Sequence, residues 1–382
     1  MHEWPSEPTE QLIALVRAAL TAERLPAAEN TDWSALLRAA AKHSLQYIAA
    51  QAALGGDMSQ SLPPQLLSRM QKICMQSVAV CSTQDYEAER LMRYFEEQGL
   101  FLAPIKGVCT RARYPESTIR SMGDLDFLYD ARQTKAVRTA MKALGYSDFR
   151  EGRKHDAFRL PPYVHVELHR ELVAFENDQY DDSRAIRGRL RPVSGTRHRF
   201  RMTLEDEYLF NLIHFAGHVR QGGAGIRFVM DVYVYEQTPL DRAYLRAELE
   251  KAGLRTFYEN VRAIAAFWFA DGAALTDTQE QLARFIRNNG VFGSDGDAAA
   301  LAVRGGRLSA LAQSCFPNYE SMRSMYPWLE KAPALLPFSW ALRGCTAVFR
   351  RPDHVRARLW QTVHGDKKRG RDLDTFFAAC GL

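Results

Sequence analysis

Two aspartates separated by one residue, Asp124 and Asp126, are the side chains of this sequence best suited to chemistry. They lie in the segment RSMGDLDFLY, residues 120 to 129, whose apolar end is typical of a β-strand. Alternate residues of a strand point to the same face, so the two carboxylates are expected to share a face with their Cα atoms roughly 7 Å apart. Carboxylates at that spacing can converge on two metal ions about 4 Å apart, as phosphoryl transfer requires.

The residues around the pair favour a metal over the other common uses of Asp-x-Asp, which also occurs in turns and calcium loops. Phe127, Leu128 and Tyr129 follow directly, and they predict a buried strand. Two neighbouring buried carboxylates repel each other and need a cation to be tolerated. Ligation by oxygen alone favours Mg²⁺ or Mn²⁺.

A third carboxylate, Glu167, lies in the alternating segment VHVELH, whose polar face holds His165, Glu167 and His169. If this strand lies beside the aspartate strand, Glu167 completes a three-carboxylate site and can act as metal ligand and general base. A solvated strand face is the alternative. A zinc site built on the two histidines is a third possibility, although the sequence offers it no convincing fourth ligand, and HVELH differs in spacing from the helical HExxH of metalloproteases.

The dipeptide Lys106-Gly107 follows a short apolar run and precedes a segment predicted to be helical up to Tyr114. A helix start presents free N–H groups and a positive dipole end to an anion, and glycine lets a phosphate approach the backbone closely. Lys106 and Arg120 can add positive charge to a triphosphate site. The alternative for Lys106 is a solvated lysine at a helix start.

Taken together, these motifs resemble the nucleotidyltransferases of the DNA polymerase β-like superfamily. The resemblance is carried by Lys106-Gly107, a helix ending in Tyr-Pro, the segment RSMGDLDFL, an amphipathic helix closing in LGY, and VELH. It is closest to the uncharacterised group in which Lys-Gly replaces the usual Gly-Ser. It covers roughly residues 30 to 240 and is strongest over 100 to 170.

The resemblance implies a small mixed sheet, two Mg²⁺ ions held by Asp124 and Asp126, and Glu167 as the third carboxylate. It also implies transfer of a nucleoside monophosphate from a nucleoside triphosphate to an acceptor hydroxyl, with release of pyrophosphate. The acceptor stays open among small molecules, RNA, peptides and proteins. Because the Gly-Ser element is absent, a protein that binds nucleotide or a partner without turnover is the alternative function.

A second group of residues resembles a recurring segment of the same branch. His214 and His218 are four residues apart, so they share a helix face, and Arg227 and Asp231 follow them. The resemblance implies that these four residues line the cleft and contact the nucleotide or the acceptor. A helix packed on the sheet, with its histidines satisfied internally, is the alternative.

The apolar periodicity predicts an α+β fold, in which a small mixed sheet lies between helical regions. Four regions are expected along the chain. They are a helical N-terminal region over 1–99, a nucleotidyltransferase α/β core over 100–200, a helical region packing on the core over 201–288, and a helical, basic C-terminal region over 289–382. Residues 289–307, rich in Gly, Ala and Asp, predict a loop or linker.

Composition limits the classes of partner and compartment. The chain of 382 residues has a net charge of +5, which allows nucleotides as ligands but does not demand nucleic acid. The basic stretch from Arg343 to Arg371 predicts either an RNA or acidic-partner surface or a solvated helical face. Six scattered cysteines without a CxxC pair, a polar N-terminus and the lack of a long apolar run predict a cytoplasmic protein with no membrane partner.

Overall fold

The structure is a computed structural model that describes residues 4–23, 31–55, 62–151, 155–172, 182–291, 293–350, 360 and 362–382. The chain divides into two compact units. The first unit comprises residues 1–217, 224–291 and 380–382, and the second comprises 218–223 and 292–379. Within the described residues, no helix is long and apolar enough to span a membrane.

Four helices precede the sheet of the first unit: α1 (Pro8–Thr21), α2 (Trp33–Lys42), α3 (Gln46–Leu54) and α4 (Pro64–Glu97). Apolar residues recur at helical spacing across 33–54, but the structure forms two helices there, α2 and α3, with a break between them. Ser44 lies at the break with a φ of 58°, a left-handed conformation that a continuous α-helix excludes. His43, next to it, is fully buried and bonds to other elements of this unit.

The α+β prediction is confirmed, because these helices flank a five-stranded mixed sheet. Its elements are β1 (Leu102–Pro104), α5 (Gly107–Arg111), β2 (Leu125–Tyr129), α6 (Thr134–Ala143), β3 (Ser147–Glu151), β4 (His155–Leu160) and β5 (Val164–His169). The strand order is β1-β2-β5-β4-β3. Only the β2–β5 pair is parallel, and the other neighbours are antiparallel.

The two faces of the sheet differ in polarity, as strand alternation requires. One face is apolar and packs against α4 and α6 in a buried cluster that includes Leu91 and Phe95 of α4, Leu125, Phe127 and Tyr129 of β2, Val137 and Met141 of α6, and Val164, Val166 and Leu168 of β5. The intervening residues of β2 and β5, Asp126 and Glu167 among them, therefore belong to the opposite face. The hydrophobic effect thus fixes which face is left for the carboxylates.

The first unit continues with a short helix and a two-stranded ribbon and then with a run of helices. These elements are α7 (Asp182–Gly188), β6 (Arg191–Pro192), β7 (Phe200–Arg201), α8 (Leu204–Arg220), α9 (Ile226–Glu236), α10 (Arg242–Lys251), α11 (Arg255–Phe269) and α12 (Asp277–Asn289). The last residues of α8 fall in the second unit. Hydrogen bonds join α8 and α9 to α5, since Asn211 Nδ2 donates to Thr110 Oγ1, and Thr110 Oγ1 lies 3.3 Å from the Tyr235 hydroxyl.

The second unit is helical over its described part, with α13 (Asp295–Val303), α14 (Arg307–Cys315), α15 (Tyr319–Met325), α16 (Leu336–Arg350) and α17 (Lys367–Ala379). The prediction of a loop over 289–307 is wrong for its centre, which forms α13. The Ser294 side chain caps this helix by accepting from the Asp297 N–H, and the run of alanines that follows has high helix propensity.

Candidate active site

The parallel pairing of β2 with β5 brings the three carboxylates together. Asp126 lies opposite Glu167 in the register of the two strands. Oxygens of Asp124, Asp126 and Glu167 all lie within 4.8 Å of one another. The first of the three lies just before β2, which begins at Leu125, so the strand is one residue shorter than the sequence indicated. Atoms separated by more than 40 residues of sequence thereby form one acidic cluster.

The two aspartates of the cluster carry their charge in different surroundings. Burial, and next the neighbouring charge of Asp126, raise the pKa of Asp124 to about 6. Burial also acts to raise the pKa of Asp126, but Lys106 and His169 outweigh it and hold this pKa well below its usual range. Asp126 is therefore the firmly ionised member, and Asp124 is the one whose negative charge is least compensated.

Lys106 makes a direct ion pair with the cluster, since its Nζ donates to Asp126 Oδ1 at 2.7 Å. The same oxygen lies 2.7 Å from His169 Nε2, and Lys106 Nζ lies 3.5 Å from that nitrogen. The backbone of Lys106 has a φ of 50°, a region that favours glycine, so its position carries strain. The helix after it, α5, ends at Arg111 and not at the expected Tyr114.

Glycine at position 107 has a packing role in this structure. A Cβ placed there would lie 2.8 Å from the sulfur of Met122 and 3.5 Å from Arg120 Nη1. Met122 precedes Asp124 by two residues. Gly107 therefore lets the segment that carries the first aspartate lie close against the start of α5.

Arg120 is engaged by Asp231, where sequence reasoning expected a phosphate. Its Nε and Nη2 donate to the two carboxylate oxygens of Asp231 at 2.8 and 2.9 Å, and its Nη1 donates to the Ser121 carbonyl at 2.8 Å. The Tyr114 hydroxyl donates to Asp231 Oδ1 at 2.7 Å. The arginine, the aspartate and the tyrosine are all buried. This bidentate pair connects helix α9 to Arg120, which lies five residues before the start of β2.

A family model described as "Uncharacterised nucleotidyltransferase" matches residues 29–270, which include the whole five-stranded sheet and the acidic cluster. The match covers well over half of the chain. The chain belongs to this nucleotidyltransferase family. No curated protein and no solved structure gives a significant match.

In this nucleotidyltransferase, Arg227 lies at the start of α9, and the described residues use only part of the hydrogen-bonding capacity of its guanidinium. Its Nη1 donates to the Ser121 carbonyl at 3.1 Å, but its buried Nε has no hydrogen-bond partner among the described residues. Burial, and then the nearby charge of Arg120, lower its pKa to about 10, whereas Asp124 acts in the opposite direction. A buried donor without an acceptor is costly unless a ligand supplies one.

The two histidines of α8, His214 and His218, fall in different compact units. His214 lies in the first unit, with its ring 5.9 Å from the ring of Phe228, the residue after Arg227. His218 lies in the second unit. Their spacing on one helix is as expected, and the ring contact with Phe228 brings His214 near the start of α9.

Sequence reasoning missed His155 of β4. In the antiparallel pairing of β4 with β5 it lies opposite His169, and its Nε2 is 3.4 Å from Glu167 Oε1. The alternating run HDAFRL, which Pro161 and Pro162 separate from the segment containing VHVELH, is the sequence signal that could have found it, because two alternating runs joined by a short turn indicate a hairpin. Residues at the two far ends of a tight hairpin lie opposite each other on one face.

Proposed function

We propose that this nucleotidyltransferase moves a nucleoside monophosphate from a nucleoside triphosphate to an acceptor hydroxyl and releases pyrophosphate, with Mg²⁺ or Mn²⁺ as cofactor. The observation that carries the proposal is the acidic cluster. Asp124, Asp126 and Glu167 place oxygens within 4.8 Å of one another, on two strands whose pairing holds them in register.

The donor set fits such a cofactor. All three side chains offer hard carboxylate oxygens, which Mg²⁺ and Mn²⁺ prefer. Burial and the charge of Asp126 raise the pKa of Asp124 to about 6, so Asp124 lacks the positive compensation that a cation would provide. When bound by these residues, two divalent ions supply charge stabilisation at the transferred phosphate and at the leaving pyrophosphate.

The remaining side chains divide into three roles under this proposal. Glu167, about a quarter exposed, accepts the proton of the acceptor hydroxyl. Lys106 and Arg227 bind phosphate oxygens, and Arg227 does so through the guanidinium whose Nε is otherwise unpaired. Arg120 and Asp231 act by positioning, because their bidentate pair fixes the segment that leads to Asp124.

Four further assignments belong to the proposal. Gly107 gives the triphosphate close access to the backbone, and His214 contributes to nucleotide or acceptor contacts. The same role for His218, in the second unit, stays a prediction from the sequence. The acceptor is a small molecule, an RNA, a peptide or a protein. All six cysteines are free, which fits a reducing compartment, and we place the protein in the cytoplasm.

The proposal is tested by incubating the protein with each of the four α-labelled nucleoside triphosphates and Mg²⁺, and by measuring pyrophosphate release. Asp126→Ala should lower the release rate by at least about a thousandfold, since it removes a carboxylate that no other residue can replace. Asp271→Ala is the matched control, because the Asp271 side chain is 90% exposed and its ion pair with Arg17 is unrelated to the cluster.

Circular dichroism and thermal unfolding establish that both variants are folded. Pyrophosphate release by Asp126→Ala at the rate of the Asp271→Ala control would refute the catalytic assignment. Release by the wild-type protein that requires an added acceptor extract would still support it, and fractionation of that extract would then identify the acceptor.

A protein that binds nucleotide without turnover is the second candidate, and one observation favours it. Lys106 already neutralises Asp126 through the 2.7 Å ion pair, and so a cation is less needed at that oxygen. Calorimetry with a nucleoside triphosphate and Mg²⁺ distinguishes the two candidates. Submicromolar binding with no pyrophosphate release under any acceptor condition would support the second.

A further inference from the structure

We propose that His155, Glu167 and His169 form a binding position for a divalent transition-metal ion, beside the three-carboxylate cluster. This position shares Glu167 with that cluster but adds two imidazole nitrogens, which the carboxylate set lacks. The inference goes beyond nucleotidyl transfer, and its ligand geometry stands whether or not the transfer reaction occurs.

The three ligands are held by the hydrogen-bonded pairing of β4 with β5. The register places His155 opposite His169, and Ala157 opposite Glu167. Directly opposed residues of antiparallel strands project from the same face, as do residues two apart on one strand. The four residues therefore share one face, on which the residue opposite Glu167 is the small Ala157. Ligands mounted on a strand ladder are more closely fixed than ligands on loops.

The distances between the ligand atoms match those around a shared ion. His155 Nε2 lies 3.4 Å from Glu167 Oε1, and His169 Nε2 lies 3.6 Å from Glu167 Oε2. Bonds of about 2.0–2.1 Å in a tetrahedral arrangement place neighbouring ligand atoms roughly 3.3 Å apart. Direct N–H···O hydrogen bonds are shorter, with a mode near 2.9–3.0 Å. Each imidazole nitrogen therefore lies at about a ligand-to-ligand separation from a different oxygen of Glu167, and ligand atoms of the three residues lie within 4.8 Å of one another.

The chemistry of the donors selects the class of ion. Imidazole nitrogen suits Zn²⁺, Ni²⁺, Cu²⁺ and Fe²⁺, whereas Mg²⁺ and Mn²⁺ prefer oxygen. His155 and Glu167 are 33% and 26% exposed, and His169 is 7% exposed. The position is therefore open on one side, so an ion can enter and keep a coordination site for water or substrate.

Binding at this position is linked to the carboxylate cluster in two ways. His169 Nε2 lies 2.7 Å from Asp126 Oδ1, a hydrogen-bond distance. When Nε2 binds the ion, His169 must give up this hydrogen bond and carry its proton on Nδ1. Glu167 belongs to both ligand sets. An ion held by the histidines would therefore fix the orientation of the carboxylate that we propose as general base.

The test uses Co²⁺ alone, whose visible absorption bands report its ligands and geometry. The wild-type protein, freed of metal by a chelator, should bind one Co²⁺ with visible bands that survive a large excess of Mg²⁺. His155→Ala should weaken Co²⁺ binding by at least about tenfold. His165→Ala is the matched control: it removes a histidine from the same strand, but one that pairs with Arg159 and lies outside the cluster.

Equal Co²⁺ affinity in His155→Ala and His165→Ala would overturn the proposal, as would displacement of the Co²⁺ by Mg²⁺. If His155→Ala does not fold, His155→Gln replaces the imidazole with an amide of similar length and should show the same loss. Asp124→Asn separates this proposal from the previous one, since it should abolish pyrophosphate release and leave the Co²⁺ bands in place. Co²⁺ bands in a wild-type protein that releases no pyrophosphate would contradict the proposed transfer reaction and would still support the metal-binding position.

Discussion

At the scale of single residues, several cations lie near the acidic cluster, and only the fold shows which side chains they pair with. Lys106 and Arg120 were both recognisable as positive charges close in sequence to the aspartates. Lys106 does reach Asp126, but Arg120 is engaged by Asp231, 111 residues later. No local pattern predicts that pair, because its geometry depends on where α9 packs against the segment before β2.

The buried pair of Arg120 with Asp231 yields a stability prediction. Asp231→Asn leaves the guanidinium without its counter-charge in a buried site, so it should lower the free energy of unfolding by about 3–5 kcal/mol. Tyr114→Phe removes one hydrogen bond to the same carboxylate and should cost about 1 kcal/mol. Urea denaturation measures both values. Equal losses in the two variants would contradict the central role of the ion pair.

Arg227 yields a binding prediction, because its buried Nε has no partner among the described residues. If it binds a phosphate, Arg227→Gln should weaken binding of a nucleoside triphosphate with Mg²⁺ by about 10- to 100-fold, as loss of a charge-assisted hydrogen bond does. Arg113→Gln is the comparison: the Nε of Arg113 is likewise buried without a hydrogen-bond partner among the described residues, but its Nη2 forms an ion pair with Glu207. Calorimetry that gives one affinity for both variants would exclude Arg227 from the nucleotide site.

At the scale of elements, the break between α2 and α3 is the point at which His43 makes hydrogen bonds to two other helices. The Ile226 N–H at the start of α9 donates to His43 Nδ1 at 3.2 Å. Nε2 must then carry the proton, and it donates to the Arg287 carbonyl of α12 at 3.2 Å. One neutral imidazole thus joins three helical elements, which explains why the helix does not continue through this point.

His43 makes the stability of the fold dependent on pH. Burial, and next the charge of Lys42, lower its pKa from 6.5 to about 4. Between these values the unfolded chain binds more protons than the folded protein, so the free energy of unfolding falls as the pH drops from about 6.5 to 4. The full loss amounts to roughly 3 kcal/mol. Urea denaturation at several pH values measures it.

The control for this prediction is His43→Asn, which keeps an oxygen to accept from Ile226 but does not titrate. Subtracting the stability of this variant from that of the wild type at each pH isolates the contribution of the imidazole. A difference that stays constant from pH 7 to 4 would mean that His43 is not the group responsible.

At the scale of the whole molecule, all the proposed site residues except His218 belong to the first unit. The family match also lies within residues 29–270 and leaves the helices of the second unit outside it. Ligand binding should therefore stabilise the first unit directly, because a ligand that binds only the folded state raises its stability by mass action.

Thermal unfolding with and without a nucleoside triphosphate and Mg²⁺ measures this effect. A ligand at a hundred times its dissociation constant adds about 2.7 kcal/mol, which should raise the unfolding transition of a unit of this size by roughly 4–5 °C. Asp126→Asn should show no such shift, since it removes the ionised carboxylate of the cluster. An equal shift in both proteins would place nucleotide binding elsewhere.

The sequence by itself determined the fold class, most of the elements of the sheet and the candidate carboxylates. Strand alternation assigned Asp126 and Glu167 to polar faces, and apolar periodicity separated the helical regions from the small sheet, because both patterns arise from local backbone geometry. Tertiary structure alone decided which strands are neighbours, and so which side chains meet. Parallel pairing of β2 with β5 joins Asp126 to Glu167, and antiparallel pairing of β4 with β5 adds His155 beside them. Strand order depends on burying the apolar face against α4 and α6, a property of the whole fold that no local motif encodes.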